Sequence, residues 1–494
     1  MQTRIPGTAP AITLHKPALT LSTIVAVLTT GLALSAPVQA FEVTDRWSNT
    51  ATDGNTGSQG DTITVTWGLV ADGTTISGSE GSSGSDLISF LDTQIGVGPG
   101  GSDLTQRPWF SIFDGSFSRL DEVSGVTYVY ESNNSGQAIN FTANPRGRLG
   151  TRPDVRIGGH SIDGQSGSNT LAYNYFPNHS DMVIDTDNTS FFSNSTNAYR
   201  AFRNVFMHEA GHGLGISHME SNNAAFLMEP FINTSFDGPQ LDDILALQRN
   251  YGDALEKSVG NDTFGTATDL GSATGGGTLS IGAFGDSTSV SASQTDFVSI
   301  DDNSDTDYFS FTLADTLEVM LDLVPRGATY NEGPQDGTQT SLNTKALSDL
   351  TLALLDTNGT TVLDLASANG AGAGESITHT LTAGTYFARV TGANSNVQLY
   401  GLDISGIPLV PALPGDFEVD GDVDGADFLE LQRGLGTIYD ATDLAFWEMN
   451  FGMGVPPLSA DSATTVPEPN SLALLCLSGL LALRRFRRAT AFTA

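Results

Sequence analysis

His208-Glu209-Ala210-Gly211-His212-Gly213-Leu214-Gly215-Ile216-Ser217-His218 is the stretch around which the chain is organised. His208 and His212 stand four residues apart, so on a helix both imidazoles leave the same face and can share one metal ion. The next helical turn would carry a third ligand away from that ion. Gly215 tolerates the left-handed backbone that ends a helix, and the chain can then bring His218 back as the third ligand. Three neutral imidazoles leave the fourth tetrahedral position open, which is the arrangement of a catalytic rather than a structural zinc site. Glu209, beside the first ligand, is placed to take a proton from a water in that position.

These histidines could instead be ordinary core or surface residues. The chain has only 7 histidines in 494 residues, however, and three of them fall in this one window with glycine at the turning point. The pattern H-E-x-x-H-x-x-G-x-x-H resembles the zinc motif of metzincin proteases. That resemblance implies an α+β zincin domain, one catalytic Zn2+ held by His208, His212 and His218, and Glu209 as general base.

The charge balance limits the partners. Lys+Arg 21 against Asp+Glu 56 gives a net charge of -35, which excludes nucleic acid and favours solubility and divalent cations. The single cysteine, Cys476, excludes an intramolecular disulfide, so folding rests on cores and metals. Residues 1–40 read as a secretory signal peptide in preference to a membrane anchor. Arg4, His15 and Lys16 precede an apolar run over 19–34, and a small-residue stretch sets cleavage after Ala40.

At the other end Pro467-Glu468-Pro469 precedes a short apolar run and then Arg484-Arg485-Phe486-Arg487-Arg488. The run is short for a span, which needs about 20 residues, and the arginines hold that end on the cytoplasmic side. Residues 466–488 resemble the PEP-CTERM sorting signal of bacterial surface proteins. The resemblance implies transient membrane association through the tail, processing by an exosortase-type enzyme, and delivery to the bacterial cell surface or extracellular matrix.

Residues 41–108 are Gly-, Ser- and Thr-rich and lead into the catalytic domain, with a strand expected over 62–67 and a helix over 87–95. From 109 the sequence predicts a helix at 117–123 and strands at 126–130, 154–159, 171–177 and 182–185. A helix over 198–214 then carries the metal motif, with Phe202, Val205 and Phe206 on its apolar side. Phe226-Leu227-Met228-Glu229-Pro230 resembles the Met-turn beneath a metzincin zinc, although Met228 alone would also suit plain core packing. With the helix expected at 241–252, residues 109–252 resemble a matrixin catalytic domain. In that family an edge strand pairs with extended substrate, a role the resemblance gives to Leu171 and Ala172.

The likeness has departures. Matrixins hold a second, structural zinc with histidines on the strands before the active-site helix. His160 matches one of them, but Tyr173 and Val183 stand where two others are expected, so one zinc is expected rather than two. Without a cysteine in residues 41–108, the propeptide latency of that family is not available. Asp163 and Asp185 fall where the family places calcium ligands, and they equally fit turn aspartates.

Residues 260–406 change to Gly, Thr, Ser and Asp with short alternating segments, and predict a β-sandwich with strands at 308–313, 318–323, 350–355 and 385–390. Asp307-Tyr308-Phe309 and Ala383-Gly384-Thr385-Tyr386-Phe387 resemble the bacterial prepeptidase C-terminal domain. The acidic run 301–307 reads as a solvated loop in preference to a calcium site. After a linker at 408–414, oxygen side chains at Asp416, Glu418, Asp420, Asp422, Asp424 and Asp427 surround Gly421. That spacing approximates an EF-hand calcium loop. Residues 415–452 resemble a dockerin repeat whose partner segment lacks a full loop.

The chain therefore reads as multidomain: an α+β zincin domain, a β-sandwich and a short EF-hand or dockerin-like α segment. The function expected is a secreted zinc metalloendopeptidase acting on protein or peptide substrates, with Ca2+ as a structural ion. The tail and accessory modules leave cell-surface polysaccharide or a cohesin-like protein open as further partners. A surface matrix or adhesion protein with a non-proteolytic zincin scaffold is the rival, and it gives no reason for Glu209. A serralysin-like protease fits less well, because glycine-aspartate calcium repeats are missing.

Overall fold

A computed structural model describes residues 2–4, 41–140, 146–164, 170–408, 413–418 and 420–454. The expected signal peptide beyond residue 4, most of the linker and the whole 466–488 tail lie outside the described residues. No helix among the described residues is long and apolar enough to cross a membrane. The chain divides into two compact units, residues 1–408 and 409–494.

The first unit begins with a mixed sheet. Ile63–Leu69 lies between Val126–Tyr130 and Val155–His160, parallel to both; Met182–Asp185 adds a further parallel strand, and Thr170–Asn174 runs antiparallel to that one. The sheet thus draws its strand 63–69 from the segment expected to lead into the domain. Ile63, Val65 and Trp67 are buried to within 2 % of full coverage, as an internal parallel strand requires.

Two helices cover one face of the sheet. Phe113 and Phe117 of helix Phe110–Glu122 meet Phe202 and Phe206 of helix Arg200–Gly213 edge to face, with ring centroids 4.8–5.5 Å apart. Trp67 packs on Phe117 at 4.8 Å and joins this aromatic layer to the sheet. Such pairs add to the burial of the rings and hold the metal-bearing helix in a fixed orientation. The expected short helix at 117–123 is thus a helix of 13 residues beginning at Phe110.

Residues 268–408 fold as two sheets face to face. One has the order 268–273, 306–313, 384–392, 350–355, 362–366; the other runs 278–281, 398–408, 317–325, 375–381, with 298–300 alongside 398–408. Strands Thr306–Leu313 and Leu317–Pro325 alternate strictly between buried and half-buried residues, the period-two pattern of a sandwich. Phe309, Phe311, Leu321, Leu352, Val390 and Ile404 fill the space between the sheets.

The sandwich and the metal-bearing part were expected as separate domains, but they share a core. Val290, Phe297, Tyr330, Leu342, Leu347, Val397 and Leu399 belong to the same buried cluster as the zincin residues. The joint is also polar. Gln240 exchanges hydrogen bonds with the backbone of Val290, Gln248 donates to Phe297 O, and Asp253 accepts from Ser299 N. A hairpin of the sandwich, Thr329–Pro334 with Thr340–Asn343, extends the joint by pairing antiparallel with Met219–Glu220.

The second unit is described by itself. Helices Gly425–Gly434 and Ala441–Asn450 each begin at a capping box, Asp424 with Asp427 and Asp440 with Asp443.

Candidate metal centre

The motif residues lie on the last turns of helix Arg200–Gly213 and on the loop after it. Gly215 has φ +94°, and a Cβ there would meet Asp45 O at 1.9 Å, so glycine alone allows both the turn and the close approach. The turn brings His218 back as expected. His208 Nε2 and His212 Nε2 lie 3.1 and 3.2 Å from His218 Nε2, and all three rings are buried.

Each Nδ1 is committed elsewhere: His208 to Leu227 O at 2.7 Å, His212 to Ile216 O at 2.7 Å, and His218 to Gln335 Oε1 at 2.8 Å. An acceptor at Nδ1 fixes the proton there and leaves a lone pair on Nε2. Three lone pairs that converge within hydrogen-bond distance repel one another unless a cation lies between them. Two nitrogens on a tetrahedral zinc stand about 3.3 Å apart, given ordinary Zn–N lengths, so the donor set fits that ion. Burial also pushes the imidazoles towards the neutral form that binds metal. His208 falls to about 3 through desolvation and the neighbouring His218, and His212 and His218 are lowered chiefly by desolvation.

Glu209 follows the first ligand and is fully buried beside it. Met228 lies beneath the centre. A Cβ on Gly211, between the two helical ligands, would meet its Sδ at 2.5 Å, so the thioether packs on the bare helix backbone. The Met228 loop is held by Asp243, which sequence reasoning did not single out. Its carboxylate accepts from Leu227 N (2.8 Å), Met228 N (3.0 Å) and Gln240 N (2.7 Å). The capping box at the start of helix Leu241–Tyr251 was the available signal for it. Burial lifts Asp243 to about 6 against these three donors.

Leu171 and Ala172 lie on strand Thr170–Asn174, at the edge away from Met182–Asp185. Gln2–Arg4, from the segment expected to be removed, runs antiparallel along that edge with Thr3 opposite Ala172. The positions where matrixins place a second zinc carry other contacts. Tyr173 and Val183 pack with Val70, Ile76 and Ile139, while His160 meets Glu80 Oε1 at 2.8 Å and Ser83.

The acidic positions fare unequally. Asp163 accepts from Thr170 N, and Asp185 accepts from Ile162 N, Asp187 N and Asn188 Nδ2, so both are engaged in turn hydrogen bonds. Neither belongs to a metal-spaced group among the described residues. Among the described residues of the 416–427 loop, Asp422, Asp424 and Asp427 come within metal-sharing distance. Asp416 accepts from Asp420 N and Gly421 N, while the side chain of Glu418 is not in the group.

The reading of 301–307 as a solvated loop holds at its middle, where Asn303 and Ser304 are exposed, but not at its ends. Asp301 is 6 % exposed and Asp307 is fully covered, and Asp305 gathers with Glu256 and Asp262. Glu256 and Asp305 are half-buried there, and Asp262 is exposed.

A buried helical H-E-x-x-H pair, a third histidine returned by a glycine turn, and a methionine beneath them form the arrangement that the zincin resemblance predicts. Residues 104–252 match the family model described as Matrixin, and residues 465–488 match the PEP-CTERM protein-sorting motif. The part carrying the site is thus similar to matrixin metallopeptidases, and the chain ends in a motif that sorts exported proteins to the cell surface. No curated protein gives a significant match. Among solved structures the chain is similar to the pre-peptidase C-terminal domain of a collagenase from Bacillus anthracis. That likeness is 15 % identical, covers 28 % of this chain and 94 % of that chain, and has a TM-score of 0.16.

Proposed function

We propose that the protein is an exported zinc-dependent metalloendopeptidase that hydrolyses peptide bonds of extracellular proteins. The observation that carries this is the convergence of three Nε2 atoms, each with its Nδ1 committed to another acceptor, beside the buried Glu209. Zinc held by His208, His212 and His218 would supply Lewis acidity to the scissile carbonyl and would make a water acidic near neutral pH. Glu209 takes the proton of the attacking water and returns it to the leaving amine. Ala172 and its neighbour Leu171 pair with the extended substrate backbone, a mode supported by the antiparallel lie of Gln2–Arg4 on the same edge. Burial of the helix excludes bulk water, which strengthens each of these interactions.

The tail at 466–488 is the processing site of an exosortase-type enzyme, and calcium at Asp422, Asp424 and Asp427 serves the second unit structurally. Metal analysis of the full mature protein, run alongside cleavage of an unstructured protein such as casein, tests the whole reading. The expected result is one zinc per chain, with cleavage abolished by chelation and restored by zinc. Two tightly held zincs per chain would contradict the single-zinc reading. A zinc-loaded chain without cleavage would favour the scaffold reading instead.

A further inference from the structure

Two of the three metal-binding histidines are oriented by backbone carbonyls of the metal-bearing part itself, Leu227 O and Ile216 O. The third is not. His218 Nδ1 donates to the side chain of Gln335, which lies 117 residues away on the tip of the sandwich hairpin. We propose that Gln335 is a positioning residue of the metal centre, so that the sandwich completes the active site rather than standing apart from it. This rests on the reading that the three histidines hold one zinc.

The hairpin is fixed for the task along the loop that leads from His218 to Met228. Met219 pairs with Pro334, and Glu220 with Gly333, immediately after the ligand. Asp336 N then donates to Glu220 Oε2 at 3.3 Å. Asn331 bonds to Asn223 Oδ1 through its backbone N–H at 2.8 Å and to Asn222 Oδ1 through its side chain at 3.0 Å. At the root of the hairpin Tyr330, 1 % exposed, packs on Phe226 with centroids 4.9 Å apart, and its hydroxyl donates to Asp242 Oδ1 at 2.6 Å.

Gln335 is therefore presented to His218 by a strand anchored at several points. An acceptor at Nδ1 sets both the tautomer and the ring rotation of an imidazole ligand, and partners of this kind are worth about 10–100-fold in metal affinity. Without the amide, the ring of His218 can rotate or move its proton to Nε2, the atom that must bind the metal.

The test is zinc affinity of the full chain, measured by competition with a chromophoric chelator. Gln335→Leu, which removes the acceptor, should weaken zinc by about 10–100-fold. Gln335→Glu, which keeps an acceptor at the same reach, should bind zinc close to wild type. Asn331→Ala removes one of the hairpin's several anchors, the bond to Asn222, while Gln335 itself stays in place, so its loss of zinc affinity should be clearly smaller than that of Gln335→Leu. Melting of the zinc-stripped variants checks that each is folded.

Undiminished affinity in Gln335→Leu would overturn the proposal, and so would equal losses in Gln335→Leu and Asn331→Ala, which would assign the effect to the hairpin as a whole. A loss in Gln335→Glu matching that in Gln335→Leu would do the same. Failure of the wild-type chain to bind zinc would be a different result, removing the metal reading on which the proposal stands.

Discussion

The three-histidine centre and the aspartate loop at 416–427 present the same kind of signal, ligand types at fixed spacing, and the fold treats them differently. At the centre all three histidines converge, each oriented by a second partner and surrounded by a packed core. Among the described residues of the loop, Asp422, Asp424 and Asp427 gather, and the carboxylate of Asp416 is taken by backbone N–H groups. Spacing fixes which residues can meet; a buried scaffold decides that they do. His208 and His212 ride on a helix held by the contacts of Phe113 and Phe117 with Phe202 and Phe206, whereas most of the loop's carboxylates are half-buried or exposed.

The largest effect is expected at the centre. Glu209→Gln should lower kcat by about 10²–10⁴-fold or more while zinc content stays at the wild-type level. Turnover at the wild-type rate would show that the centre, however well built, does not use this carboxylate.

Asp243→Ala comes next, because it tests whether the centre depends on the buried scaffold. It strips three backbone N–H groups of their acceptor. Each unsatisfied buried donor costs about 1–3 kcal/mol, so melting should drop sharply and zinc affinity should fall with it. An unchanged melting temperature would mean that the Met228 loop is held by its apolar contacts alone.

The carboxyl cluster at the joint should give a smaller, pH-dependent effect. Burial and mutual repulsion raise Glu256 to about 10, Asp301 to about 9 and Asp305 to about 7 in the folded chain. Because these folded values lie above the unfolded ones, the native state holds more protons between roughly pH 4 and 9. Stability contributed by the cluster is therefore lost as pH rises through that window. In chelator-treated buffer, melting should fall from pH 5 to pH 9, and Asp301→Asn should flatten the fall. An equally steep curve in the variant would place the pH dependence elsewhere.

The smallest effect belongs to the loop. Trp447 Nε1 donates to Asp424 O at 2.7 Å, so its fluorescence reports on the loop backbone. Calcium should change that signal modestly, and Asp427→Ala should abolish the change. A calcium response that survives Asp427→Ala would show that the three gathered carboxylates are not its source.

Much of this was legible in the sequence because it was local. The helix and glycine turn of the metal motif, strand Leu350–Leu355 and strand Val126–Tyr130 all follow from periodicity or short spacing. Gln335 was not legible, since nothing in its neighbourhood marks an exposed glutamine as the partner of a histidine 117 residues away. The burial of Asp307 was hidden for the opposite reason. A run of aspartates reads as solvated until its packing is known, here against Tyr400 of the opposite sheet, whose hydroxyl donates to Asp307. The shared core of Tyr330, Leu342 and Leu399 with the zincin residues is likewise a property of the two parts together.

The hairpin seam has a consequence in time. A chain emerging from its N-terminus presents all three histidines and Glu209 long before residues 329–343 are available. Until the sandwich folds, the loop after His218 lacks its partner strand and the zincin core lacks part of its apolar cover. On the proposed function, competence to cut would thereby wait until the sandwich has folded against the metal-bearing part.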